Sequence, residues 1–470
     1  MGAAPVIMWF RRDLRLADHA ALAAAAATGR PVLPVFIHDE TVAALGAAAT
    51  WRLGVGIEVF AAALSAAGSR LVLRRGQALE VLRALIAESG AGAIHWQRVY
   101  DPAGIARDRA VKAALKADGI AVESHPGAVL FEPWTVETGQ GGPYSVYSPF
   151  WKAVRGRDPG GLLPAPGRLA APSRWPESDR LSAWRMGAAM NRGAAVVAKY
   201  AAVGEGAARE RLARFVAEDL PRYREGRDFP ARDVTSGLSE NLAWGEISPR
   251  AVWWAGRQAM EAGVPGAEKV LSELVWREFA WHLIYHHPRL AEANWREGWD
   301  GFPWRDDNAD AERWRRGLTG EPFVDAAMRE MFVTGRMHNR ARMIVASYLT
   351  KHLMTDWRVG LAWFQDCLTD WDPASNAMGW QWVAGSGPDA APYFRIFNPA
   401  TQAEKFDPDG AYRARWIAEG QAAPPDTARD YFRAVPRGWG LRPGAPYPAP
   451  MIALSTGRAR ALDAYAARKT

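Results

Sequence analysis

The segment Ser272-Glu273-Leu274-Val275-Trp276-Arg277-Glu278-Phe279 sets a carboxylate close to an indole. On a helix, Glu273, Trp276 and Ala280 share one face, and Glu273 and Arg277 stand one turn apart as an i, i+4 pair. Such a face suits a planar ligand with imide groups, whose ring stacks while the carboxylate hydrogen-bonds. The same pattern also describes a surface ion pair above a core Trp. A second segment, Met337-His338-Asn339-Arg340-Ala341-Arg342-Met343, puts Asn339 and Met343 one turn apart and points Arg342 elsewhere, toward a carboxylate partner. Asp370, Asp372 and Asn376, followed by Trp380 and Trp382, offer partners. A buried Arg–Asp pair with an Asn amide can hold a heterocycle by its polar edge; a helix cap and turn would use the same residues. Thr235-Ser236-Gly237-Leu238-Ser239 carries hydroxyls and free N–H groups that can cradle phosphates at a helix start, or simply cap the helix. His282, His286 and His287 lack an acidic or Cys partner at ligand spacing, so no metal site is expected.

Groups this far apart in sequence need a scaffold. In the first third, short apolar runs at 5–10, 31–38, 70–73, 93–100 and 120–124 alternate with Ala-rich stretches of helical periodicity at 17–28, 55–67, 78–89 and 105–118. That rhythm predicts βαβ units and a parallel sheet covered by helices. The turn Arg11-Arg12-Asp13-Leu14-Arg15 after the first run has no G-x-G-x-x-G, so the usual dinucleotide fingerprint is absent. Pro and Gly cluster over 159–167 and at Pro172 and Pro176, which predicts a long surface connector. Beyond 200 the periodicity is helical, at 208–222, 249–262, 268–287, 324–333, 339–354 and 359–368, with a last helix over 455–469. The expected architecture is a doubly wound, Rossmann-like α/β domain over 1–130, a linker over 131–200, and an all-helical domain over 201–470.

Composition bounds the function. The chain carries 58 Lys and Arg against 51 Asp and Glu, a net +7, which favours polyanionic partners such as nucleic acid. Cys367 is the only cysteine, so neither an intrachain disulfide nor a four-thiolate cluster can form. Charges within residues 1–13 argue against a signal peptide, and no long apolar run is expected to span a bilayer; the expected location is cytoplasmic. Most of the 23 tryptophans follow position 240, which suits core packing and also a site that stacks rings or moves electrons.

Taken together, these segments resemble the photolyase/cryptochrome family over essentially the whole chain. The resemblance begins at Trp9-Phe10-Arg11-Arg12-Asp13-Leu14-Arg15-Leu16-Ala17-Asp18. It is strongest at Glu273–Phe279, at Met337–Met343, and from Gly379-Trp380-Gln381-Trp382 through Pro392-Tyr393-Phe394-Arg395-Ile396-Phe397-Asn398-Pro399. Within the family the chain is most similar to microbial enzymes that split cyclobutane pyrimidine dimers. The resemblance implies FAD, active in its reduced anionic form, in the helical domain. It implies phosphate-side contacts from Tyr223, Thr235, Ser236, Leu238 and Ser239, with Gly237 in the same loop. It implies Arg277, Arg342, Asp370 and Asp372 around the cofactor, and Asn376 facing the flavin N5. Glu273, Trp276, Asn339, Met343 and Trp382 match a pocket for the flipped dimer; Arg227, Arg340 and Arg395 match contacts to the DNA strand. Trp380, Trp357 and Trp314 match a chain carrying electrons from the surface to the flavin.

Two departures stand out. Gly237 occupies a position where the family commonly has Arg, which implies a softer phosphate loop. Ala103 and Gly104 replace the Asn-Glu pair of folate-binding members, so a differently bound 5,10-methenyltetrahydrofolate, a deazaflavin, another flavin or no antenna chromophore all remain open. Asn339 and Met343, where the (6-4) repair enzymes have a His pair, resemble the cyclobutane-dimer type. A light-signalling cryptochrome without repair is the rival reading, and Asn376 and the intact Glu273/Trp276/Met343/Trp382 set oppose it. The expected partner is damaged DNA, bound by a monomer.

Overall fold

The computed structural model describes residues 3–391, 393 and 395–468. Five strands, β1 (Val6–Phe10), β2 (Val32–His38), β3 (Val72–Arg75), β4 (Ala93–Gln97) and β5 (Ala121–His125), form one parallel sheet in the order β3-β2-β1-β4-β5. The strand order reverses between β1 and β4, as in a doubly wound sheet. Every residue of β1 is buried, because helices cover both faces and leave no side for polar alternation. The covering helices are α1 (Ala20–Ala27), α2 (Ala47–Ala66), α3 (Ala78–Ser89) and α4 (Pro102–Ala117).

Helix α2 starts eight residues before its expected beginning at 55. Gly54 and Gly56 blur the periodicity, yet both are packing positions: an added Cβ would lie 3.0 Å from Met186 and 3.1 Å from Leu14. Contrary to expectation, α2 is long and apolar enough to cross a membrane by length and composition. Its Leu53, Ile57, Phe60 and Leu64 are buried in the core of the fold.

The connector is more than a surface loop. Its helix α5 (Tyr147–Val154) buries Tyr147, Phe150 and Val154 against the helical domain. Beyond it the larger helices are α6 (Glu205–Arg214), α7 (Pro249–Glu261), α8 (Ala267–His286), α9 (Pro322–Thr334), α10 (Asn339–Ser347), α11 (Trp357–Cys367), α12 (Pro373–Ala384) and α13 (Leu454–Ala467). The run expected over 339–354 changes to a π-type turn at Tyr348–His352.

Arginines of the α/β domain plug into the helical one. Arg52, fully buried on α2, pairs with Glu240 and, at 2.7 Å, with Glu246. Arg12 donates to the carbonyls of Ala243 and Trp371 and lies over the Trp244 ring. Arg15 donates to Gly245 O at 2.9 Å. Buried charges persist only when paired, so these contacts fix the domains on one another.

Candidate functional site

Helices α6, α8, α10 and α12 and the 235–239 loop enclose a cavity of about 990 Å³ in the helical domain. That is the upper end of small-molecule sites and has room for a dinucleotide cofactor.

One wall carries the expected Arg–carboxylate pair. Arg342 Nη2 donates to both oxygens of Asp370, at 3.0 and 2.8 Å, and its Nε donates to Met337 O. Asp372 caps α12 by accepting from Ser375 N–H at 2.8 Å and also accepts from Trp281 Nε1 at 3.0 Å. Asn376, one turn into α12, donates through Nδ2 to Asp372 O at 2.9 Å. Its Oδ1 has no partner among the described residues and belongs to a side chain lining the cavity. The cap thus fixes which atom of Asn376 is left for a ligand.

Along the far wall run Thr235, Ser236, Gly237, Leu238 and Ser239, with Tyr223 nearby. Gly237 has φ +60°, a conformation that disfavours any side chain. Arg211, from α6, donates to Gly237 O at 2.7 Å and to Asn241 Oδ1 at 3.1 Å, and also lines the cavity. A guanidinium from another helix thus holds the loop expected to be softer. No motif surrounds Arg211, and nothing local to it marks the role.

Glu273 faces the cavity, but the expected pair with Arg277 does not form. Glu273 Oε1 accepts instead from Arg227 at 2.6 Å and from Lys269 at 2.7 Å. Arg277 turns away, donating to Glu278 at 3.1 Å and to Ala128 O at 3.1 Å, with its Nε 3.8 Å from Asp372 and lacking a hydrogen bond. Burial pushes the Glu278 carboxyl up to about 7, against the pull of Arg277. Asn339 and Met343 also line the cavity, whereas Trp276 and Trp382 are half-buried and do not. Tyr147 of the connector stacks on Trp276, centroids 3.6 Å apart and planes within 8°. One face of that indole is therefore already covered, by a residue that no motif points to.

A further carboxylate, Glu330 of α9, lines the cavity and accepts from the Tyr412 hydroxyl. Burial pushes it up to about 7.

The three expected arginines differ in setting. Arg227 is held by Glu273 and lies over the Tyr223 ring. Arg340 pairs with Asp228 at 2.9 Å. Arg395 is exposed, and its carbonyl accepts from the buried Lys351 Nζ at 2.9 Å. Pro392 and Phe394 lie outside the described residues.

The tryptophan chain needs a correction. Trp380 and Trp314 meet edge to face at 6.1 Å, and Phe364 lies 4.9 Å from Trp380. Trp314 and Trp357 are 0% exposed and Trp380 is 3% exposed. None of the three reaches the surface, and the Trp314 N–H is spent on Val345 O at 3.1 Å. Gly360 makes room for Trp380: a Cβ there would fall 2.1 Å from the indole ring.

Residues 6–167 match the family model described as DNA photolyase, and residues 270–467 match that described as the FAD binding domain of DNA photolyase. The chain is 47% identical over 475 residues to a deoxyribodipyrimidine photo-lyase of Agrobacterium fabrum, covering 99% of this chain and 98% of that one. It superimposes with a TM-score of 0.91 on a bacterial class III photolyase from Agrobacterium tumefaciens, 46% identical, covering 100% and 98% of the two chains. Cryptochrome-1 of Arabidopsis thaliana is 33% identical over 97% of this chain and 70% of its own length.

Proposed function

The chain belongs to the DNA photolyase family, and we infer that it binds FAD and uses light to split cyclobutane pyrimidine dimers in damaged DNA. One observation carries this reading: the Arg342–Asp370 pair, the unpartnered Asn376 Oδ1 and the Glu273 carboxylate all line a single cavity. The residues suit FAD. The hydroxyls and N–H groups of 235–239, together with Arg211, would hold its phosphates, and the buried Arg277 Nε lacks a hydrogen bond that a ligand would supply.

Bound in reduced form and excited by blue light, FAD supplies the electron that opens the cyclobutane ring and takes it back afterwards. The protein positions and polarises. Asn376, through the Oδ1 left free by its bond to Asp372 O, would hydrogen-bond the flavin, Arg342 and Asp370 would hold the polar edge of its ring system, and Asp372, the cap of α12, fixes the helix that carries Asn376. A dimer still stacked in the duplex cannot enter such a cavity and must be flipped out, as photolyases in general require. Glu273 hydrogen-bonds the flipped bases. The open face of Trp276, backed by Tyr147, and Trp382 replace stacking lost from the duplex. Arg227, Arg340 and Arg395 grip the strand, and Trp380, whose ring meets Trp314 edge to face, would pass an electron to the flavin; the buried Trp314 and Trp357 do not form the surface end of that path. The enzyme acts as a monomer.

The cleft between the domains, where Arg12, Tyr100, Arg277 and Trp281 meet at the sheet's switch point, does not have room for a second chromophore. The open volume there is about 40 Å³, a fraction of what 5,10-methenyltetrahydrofolate or a deazaflavin occupies, so no energy-transfer step is assigned to it.

The test is repair of a thymine-dimer oligonucleotide by chemically reduced protein, in blue light and in darkness. Recovery of thymine absorbance only in light is expected. No recovery by FAD-loaded protein in light would overturn the reading in favour of a cryptochrome-like receptor.

A further inference from the structure

Outside the cavity, the α/β domain gathers three metal-ligating side chains that repair does not use. His95 on β4 stands opposite Glu123 on β5 in the sheet register, and His125 follows two residues along β5, opposite Gln97. The two-residue alternation of a strand puts all three side chains on one sheet face. His95 Nδ1 and His125 Nε2 lie 3.1 Å apart, the imidazoles are stacked within 16°, and Glu123 Oε2 lies 3.8 Å from His125 Nε2. The three ligand atoms all fall within 4.8 Å of one another. His95 is buried, His125 half-buried, and the Glu123 side chain is 61% exposed.

These distances have the scale of a coordination sphere. Two imidazole nitrogens about 2.0–2.1 Å from a zinc ion, at a tetrahedral angle, are separated by roughly 3.3 Å. The His–His separation matches this as it stands. The carboxylate needs only a small side-chain rotation, which its exposure allows.

We propose that His95, His125 and Glu123 bind one divalent cation of the zinc class, with two imidazoles and one carboxylate as protein ligands and the remaining position open to solvent beside Glu123. Imidazole and carboxylate together favour late first-row divalent ions over magnesium or calcium, which take oxygen ligands. Neighbouring cations are already engaged: Arg98 pairs with Glu132 at 2.8 Å, and Arg30 donates to the carbonyls of Ala4 and Pro5. Because β5 pairs only with β4, a bound ion would clamp the edge strand to the sheet.

A plain His–His hydrogen bond accounts for the same geometry without an ion, and the experiment separates the two. Chelator-treated, tag-free, FAD-loaded protein is titrated with zinc chloride by calorimetry and with cobalt(II) by its ligand-field absorption. The expected result is one equivalent bound, a cobalt spectrum of tetrahedral type, and a Tm that rises with zinc. Binding should be lost in His125→Ala and weakened about tenfold or more in Glu123→Gln. The latter changes an exposed side chain and preserves the fold. Light-driven repair should be unaltered in both. No stoichiometric binding to wild type, or binding that Glu123→Gln and His125→Ala leave unchanged, would overturn the site and leave the hydrogen bond as the whole explanation.

Discussion

Arg227 Nη1 and Lys269 Nζ reach the same oxygen of Glu273, at 2.6 and 2.7 Å. On the proposed reading, the other oxygen, Oε2, is the one that would meet a flipped base. Glu273→Ala should weaken binding of dimer-containing DNA about 10- to 100-fold, the worth of a hydrogen bond to a charged group, while FAD stays bound. Titration of labelled dimer oligonucleotide, with flavin absorbance as the control, measures this. Unchanged affinity and repair would remove Glu273 from the substrate site.

Trp380→Phe should abolish photoreduction of oxidised flavin and leave repair by pre-reduced enzyme nearly intact. Flavin absorbance under blue light with an external reductant gives the first readout, and single-turnover repair gives the second. Normal photoreduction in this variant would exclude Trp380 from the electron path. Because Trp314 is fully buried, an external donor cannot contact it.

Arg211→Ala should lower FAD affinity about tenfold through loss of a charge-assisted contact near the phosphates. Gly237→Arg should not strengthen binding, because residue 237 has φ +60°, a backbone conformation strained for any side chain. The fraction of flavin retained after dialysis reads both. Tighter FAD in Gly237→Arg would contradict the bracing role of Arg211.

Burial raises the Glu278 carboxyl from 4.5 to about 7, so the folded state binds more protons than the unfolded state between those values. By linkage this group's contribution to stability is highest below the unfolded pKa and falls as pH rises toward about 7. Relative to wild type, Glu278→Gln should therefore gain Tm as pH rises from about 5 to 8, in paired melting curves. A Tm difference that is flat across that range would show that Glu278 does not titrate there.

DNA binding should weaken as salt rises, and Arg395→Ala should reduce the slope of log affinity against log salt by about one. Arg395 is exposed, so its loss leaves the core alone. A slope equal to that of wild type would place residue 395 off the phosphate backbone.

Legibility in the sequence follows the range of each interaction. The alternating strands and helices of the first third, and the Asp372 cap with Asn376 one turn on, depend on local periodicity and are legible. Arg342 with Asp370 is legible because a partly buried arginine on a helix needs a carboxylate and few are on offer. Glu273 is assigned the wrong partner because i, i+4 spacing is blind to Arg227, which arrives from another part of the chain. The Tyr147–Trp276 stack and the bracing by Arg211 are tertiary contacts with no sequence period. The depth of Trp314 is hidden for the same reason: residue type reveals a ring but not how far it lies from solvent.

The buried Arg52, held between Glu240 and Glu246, also governs how the chain can be taken apart. Cut away from the helical half, residues 1–130 would present a bare cation in an apolar wall, and the helical half would keep two carboxylates with no counter-ion. The α/β half is thus a graft rather than a cassette. A chimera between relatives must carry positions 52, 240 and 246 as one inherited unit, and unfolding should proceed in a single step that takes both halves together.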